Sequence, residues 1–120
     1  MAQYLPAFRP GEVVTFDVTT AVVGGRYVQL GAADRSAAPA GAASTTVLGV
    51  AGHDAGVGDK VAVEVNKVIH LVPCAAAVAR GAKVEAAAAG KVQTATTGQV
   101  VGTALNTTTA ADQLVYVLSA

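Results

Sequence analysis

Tryptophan is absent, isoleucine and cysteine occur once each, and aromatic residues make up only 4% of the 120 residues. The 52% of apolar residues is supplied chiefly by 27 alanines and 21 valines. Burial is worth roughly 0.8 kcal/mol per methylene, so a core this poor in large side chains predicts a monomer of modest stability that gains from assembly. A charge excess is missing too: eight basic residues balance eight acidic ones. The strong basic footprint of a nucleic-acid or anionic-membrane binder is therefore not present, and neither partner is expected. No stretch approaches the 18 continuous apolar residues of a membrane span, and Met1-Ala2-Gln3-Tyr4-Leu5-Pro6 has neither the basic start nor the apolar run of a secretory signal. Synthesis in a cytoplasm is expected. The lone Cys74 excludes an intrachain disulfide and the usual zinc spacings, and reads as a small core hydrophobe.

What is present favours strands. Valine and threonine together account for 33 of the 120 residues, and β-branched side chains fit a pleated, half-buried surface. From Glu12 to Val18, Val14, Phe16 and Val18 alternate with Val13, Thr15 and Asp17. Lys60 to Val65 repeats the pattern with Val61, Val63 and Val65 inward, and Val68 to Val72 follows after Asn66-Lys67, which predicts a two-residue hairpin ended by Pro73. Gln113 to Leu118 alternates Leu114, Tyr116 and Leu118 against Val115 and Val117. Shorter strands are expected at 26–30, 46–51, 82–85, 91–94 and 99–104. The alanine-rich stretch 74–89 would score as helix on propensity, but Gly81 interrupts it and Gly90 closes it, so only a short turn or one helical turn at 75–79 is expected. Residues 31–44, a run of Ala, Gly, Ser and Pro around Asp34-Arg35, predict a long surface loop.

The chain also repeats itself. At a spacing of 53 residues, Val47-Leu48-Gly49-Val50-Ala51 lies over Val100-Val101-Gly102-Thr103-Ala104, and residues 59–65 lie over 112–118. A fainter echo sets Gly25 and Val28 over Gly81 and Val84. The expected architecture is all-β: a compact sandwich or barrel-like domain of about nine short strands over residues 12–120, with a pseudo-repeat at about 47–65 and 100–118. Residues 1–11 precede it as an extended arm, biased by Pro6 and Pro10 and carrying Tyr4, Leu5 and Phe8 as apolar anchors.

Catalytic constellations are scarce. His53, Asp54 and Asp59 could serve a metal or a general base, but they sit in a glycine-rich connection where turn formation and local backbone hydrogen bonding explain them better. His70 reads as a satisfied, partly buried strand histidine. The serines lie in loop-like or terminal sequence without a nucleophile elbow, and Gly52, Gly56 and Gly58 lack the lysine and helix of a phosphate loop. No enzymatic activity, cofactor or metal is expected.

The order of short motifs is more telling than any one of them. Pro10-Gly11-Glu12-Val13 is followed by Val47-Leu48-Gly49-Val50-Ala51, Gly58-Asp59-Lys60-Val61-Ala62-Val63-Glu64-Val65, Leu71-Val72-Pro73, Gly90-Lys91-Val92-Gln93-Thr94, Val100-Val101-Gly102-Thr103-Ala104-Leu105 and Leu114-Val115-Tyr116-Val117-Leu118. Over residues 10–118 this resembles the capsid cement, or head decoration, proteins of tailed bacteriophages. The resemblance implies a homotrimer on the outer surface of the mature virion head, bridging major capsid protein subunits. Tyr4, Leu5, Phe8 and Arg9 on the arm, and Asp34 and Arg35 on the loop, are the candidate capsid or neighbour contacts. Other structural modules, such as a head-fibre base, a tail component or a cellular adhesion unit, form the second expectation. A small metal-binding or enzymatic domain using His53, Asp54 and His70 forms the third.

Overall fold

The computed structural model describes residues 13–65 and 69–120. These form ten strands: β1 (Val13–Val18), β2 (Tyr27–Leu30), β3 (Ser36–Pro39), β4 (Val47–Ala51), β5 (Lys60–Glu64), β6 (Ile69–Pro73), β7 (Lys83–Ala86), β8 (Val92–Thr94), β9 (Val100–Ala104) and β10 (Leu114–Ser119). The one helical element among the described residues is a single 3-10 turn at Ala88–Gly90. The all-β expectation holds. Alternation in β1 decides its orientation, with Val14 and Val18 buried and Val13, Thr15 and Asp17 exposed.

The strands form two five-membered sheets, a closed barrel in the order β1-β3-β2-β4-β5 and a second sheet in the order β6-β10-β9-β7-β8. Strand for strand, the second half repeats the pairing of the first. β1 runs antiparallel to β5 with Val14 opposite Val63, and β6 to β10 with His70 opposite Val117. β4 lies beside β5 with Ala51 opposite Val63, and β9 beside β10 with Ala104 opposite Val117. The β2–β4 ladder slips between Val28 and Gln29, where Gly49 pairs with Val28; the β7–β9 ladder slips between Val84 and Glu85, where Gly102 pairs with Val84. Closure follows the same plan: β1 meets β3 in parallel at Val18 and Ala37, whereas the second half keeps a single parallel bridge, Cys74 to Val92. The fold is a tandem duplication of one five-stranded unit.

This pairing corrects the simple spacing of the repeat in its last strand. A shift of 53 lays Val61 over Leu114, but Phe16 faces Val61 in the first unit and Val72 faces Val115 in the second, so Val61 corresponds to Val115. The connection before β10, residues 105–113, is one residue longer than its counterpart at 52–59. A one-residue slip exchanges the two faces of a strand, so Val115 and Val117 are buried while Leu114, Tyr116 and Leu118 face outward.

Other expectations change as well. Val61 and Val63 are inward, but β5 and β6 do not form a hairpin: β5 pairs with β1 and β4, and β6 pairs with β10. The two strands belong to different sheets, and residues 66–68, the expected turn, lie outside the described residues. Residues 31–44 are not one loop, because β3 lies within them. Ser36 and Ala37 are fully buried, and Ser36 Oγ is tied to both N–H and C=O of Ala33. Such small side chains pack a strand closely without producing a visible hydrophobic period. The alanine-rich stretch resolves into bends at 75–76, strand β7 and the 3-10 turn.

The two units are joined by a shared core. Val18, Val28, Ala37, Val61 and Val63 pack within the barrel, whereas Tyr27, Ala40 and Val50 from the same barrel join Val72, Val84, Val115 and Val117 of the second unit. Loops cross the joint and exchange backbone hydrogen bonds: Ala43 N–H donates to Ala86 O (2.9 Å), Gly90 N–H to Ala40 O (2.9 Å) and Gln99 N–H to Ser44 O (3.1 Å). The Gln99 amide extends this by accepting from Val47 N–H at 3.0 Å and donating to Val47 O at 3.3 Å.

Candidate interaction surface

The polar residues flagged in the sequence prove to be architectural. His53 Nδ1 lies 2.9 Å from Asp54 O, and its Nε2 accepts from Ala62 N–H at 3.3 Å. Asp54 accepts from Gly24 N–H in a different connection, while Asp59 accepts from Gly56 N–H within its own, the turn-forming role expected of Asp59. Among the described residues no three His, Cys, Asp or Glu side chains gather as a metal set. Cys74 is buried, with its Sγ 3.1 Å from Ala110 O.

Of the expected contact residues, Tyr4, Leu5, Phe8 and Arg9 lie outside the described residues. Asp34 and Arg35 occupy the turn between β2 and β3, where Arg35 has a left-handed φ of 51° and its carbonyl accepts from Asp17 N–H at 3.3 Å. They share an open depression of about 380 Å³ with Thr15, Asp17 and Lys60. Lys60 Nζ donates to the Asp17 carboxylate, and both side chains are well exposed. Exposed pairs of this kind contribute little, so Asp17→Asn is expected to change unfolding free energy by less than about 1 kcal/mol in urea titrations.

The same positions in the second unit look very different. Leu71 stands where Thr15 stands in the first unit, Pro73 replaces Asp17, Leu114 replaces Lys60, and Ala89 and Gly90 replace Asp34 and Arg35. The outer ladder of β6 and β10 pairs Ile69 with Leu118, Leu71 with Tyr116 and Pro73 with Leu114. Ile69 is 57% exposed, Leu114 52%, Tyr116 50%, Leu118 46% and Leu71 42%. Isolated exposed apolar residues are ordinary, but a contiguous ladder of them marks an interaction site. Neither Asp34 nor Arg35 belongs to this face. A signal was available: Leu114 to Leu118 is apolar at every position, although the fold covers only one side of β10.

Residues 8–119 match the family model of phage cement proteins. The chain belongs to the phage cement protein family. It is thus a phage structural protein and a component of the virion. The fold is shared with a solved structure, the N base of head fibre gp8.5 of bacteriophage phi29, at a TM-score of 0.74 and 18% identity, covering 91% of this chain and 93% of that one. No curated protein sequence matches. In this cement protein the duplicated unit presents one polar and one apolar version of the same surface.

Proposed function

We propose that this protein decorates the outer surface of the mature phage head as a homotrimer and bridges neighbouring major capsid protein subunits. The divergence of the two equivalent faces carries the reading. Permanent self-association surfaces are apolar like a core cut in half, while contacts with a separate partner are more polar. We therefore assign the Leu71, Leu114, Tyr116 and Leu118 face to like chains. The depression around Asp34 and Arg35, with the segment bearing Tyr4, Leu5, Phe8 and Arg9, is assigned to the capsid. No reaction is involved: a ligand that binds only the expanded lattice stabilises that lattice by mass action.

The test combines native mass measurement with co-sedimentation on expanded capsids of the same phage. A trimer that sediments with expanded shells and raises their resistance to heat is expected. The double variant Leu71→Asp/Tyr116→Asp should be monomeric, because each interface would have to bury unpaired carboxylates, and its affinity for capsids should fall about a hundredfold. A wild-type chain that binds shells in no maturation state overturns the reading. Likeness in fold to a head-fibre base favours a second reading as a fibre attachment module. Negative-stain images of virions lacking the protein would then lose a fibre rather than a regular surface layer.

A further inference from the structure

The joint between the two units holds a cleft of about 250 Å³ whose walls include Tyr27, Leu48, Glu64, His70, Gln99 and Val101. Tyr27 is 3% exposed, and its hydroxyl is a buried side-chain polar atom without a hydrogen-bond partner among the described residues. Buried hydroxyls are normally paired, so this one lacks the partner its burial calls for. The His70 ring stands edge-on to Tyr27, with centroids 6.0 Å apart at 78°. Burial lowers the pKa of His70 and favours the neutral imidazole, against a smaller opposing effect from Glu64. A neutral imidazole keeps one acceptor nitrogen. Glu64 is half-buried, and no Lys or Arg forms an ion pair with it among the described residues. Gln99 is already engaged by the Val47 backbone and serves as wall.

A carboxylate, a hydroxyl and an imidazole between apolar walls suit a cation on an apolar stem. The space is below the roughly 300–1,000 Å³ of cofactor pockets and suits one side chain. The polar groups come from three strands, β2, β5 and β6, so a planar fork of five donors serves them better than a point-like ammonium. We propose that this cleft is the socket for a single arginine side chain of the capsid partner, a proposal that rests on the capsid-binding reading above.

The probe is N-acetyl-arginine amide, titrated into the full chain while the His70 and Tyr27 ring protons are followed by NMR, with the uncharged isostere N-acetyl-citrulline amide as control. Saturable shifts of both rings by the arginine probe are expected, at least tenfold weaker with citrulline and at least tenfold weaker in Glu64→Gln. Tyr27→Phe, which keeps the ring and removes the hydroxyl, should weaken binding without unfolding the chain. On capsids, Glu64→Gln should lose at least tenfold in affinity with its association state unchanged. Equal shifts from the two probes, shifts undiminished in Glu64→Gln, or no shifts at all would each overturn the socket. If the wild-type chain fails to bind capsids, the decoration reading falls, while the probe titration still reports on the cleft itself.

Discussion

Gly49→Ala and Gly102→Ala are each expected to destabilise the protein by about 4 kcal/mol or more, among the largest effects a single methyl group can have. A Cβ at residue 49 would lie 2.0 Å from Glu64 O, and one at residue 102 would lie 2.3 Å from Leu118 O. Both glycines pair with the last residue before the ladder slip, where the sheet bends and one backbone comes close against the next. The obstruction in both cases is a carbonyl of a paired strand rather than a flexible side chain, so relief requires moving a whole ladder. Gly25 and Gly81 provide the internal control. They have φ of +79° and +86° with nothing within 4 Å of an added Cβ, so alanine there should cost only about 1–2 kcal/mol through the left-handed backbone. Urea denaturation of the four variants would check the ranking. A Gly102→Ala protein within about 1 kcal/mol of wild type would show that the ladder yields.

Glu85 is expected to control stability in acid. Its side chain is fully buried in β7 and accepts four hydrogen bonds, from Gln93 Nε2 (2.6 Å), Thr96 N–H (2.8 Å), Gly98 N–H (2.9 Å) and Thr96 Oγ1 (3.1 Å). The Thr96 backbone donor, followed by the Gln93 amide, outweighs desolvation and lowers its pKa to about 2 from an ordinary 4.5. A carboxyl depressed on folding stabilises the native state fully above its unfolded pKa and loses that contribution as pH falls through the folded one. Melting temperature should therefore drop as pH is lowered from about 4.5 towards 2, and this slope should be clearly reduced in Glu85→Gln, with Asp112, whose pKa the Lys91 ammonium also lowers, supplying part of what remains. Glu85→Ala removes the common acceptor of four donors and leaves a void in a fully buried position, and should lower the midpoint near neutral pH by about 10 °C or more. Calorimetry across that pH range would decide, and an unchanged acid slope in Glu85→Gln would assign it to other carboxylates. The equivalent residue in the first unit is Gln29, whose Oε1 accepts from Gly41 N–H at 3.2 Å, so the duplicated unit keeps the clasp and charges it only once.

Much of this architecture was legible in the residues. Alternation fixed the inward face of β1 and β5, and the recurrence of Gly49 at Gly102 announced the duplication. β3 carries no strand signal because Ser36, Ala37 and Ala38 show no contrast between faces. Adjacency along the chain suggests a hairpin of β5 and β6, whereas β1 occupies that edge of β5. The apolar ladder of β10 was visible as composition, but its outward direction depended on the extra residue before Leu114, which only the pairing reveals. Tyr27, Glu64 and His70 come from three separate strands, and no spacing in the sequence brings them together.

The incomplete closure of the second unit has a consequence for how such a protein can be made in quantity. A flat sheet with two free borders is a template on which further chains can add indefinitely. Here those borders are curled towards each other until Cys74 touches Val92; one of them, β8, has three residues, and the other, β6, ends at a proline that cannot donate. Open-ended strand-on-strand polymerisation is thereby denied its starting point.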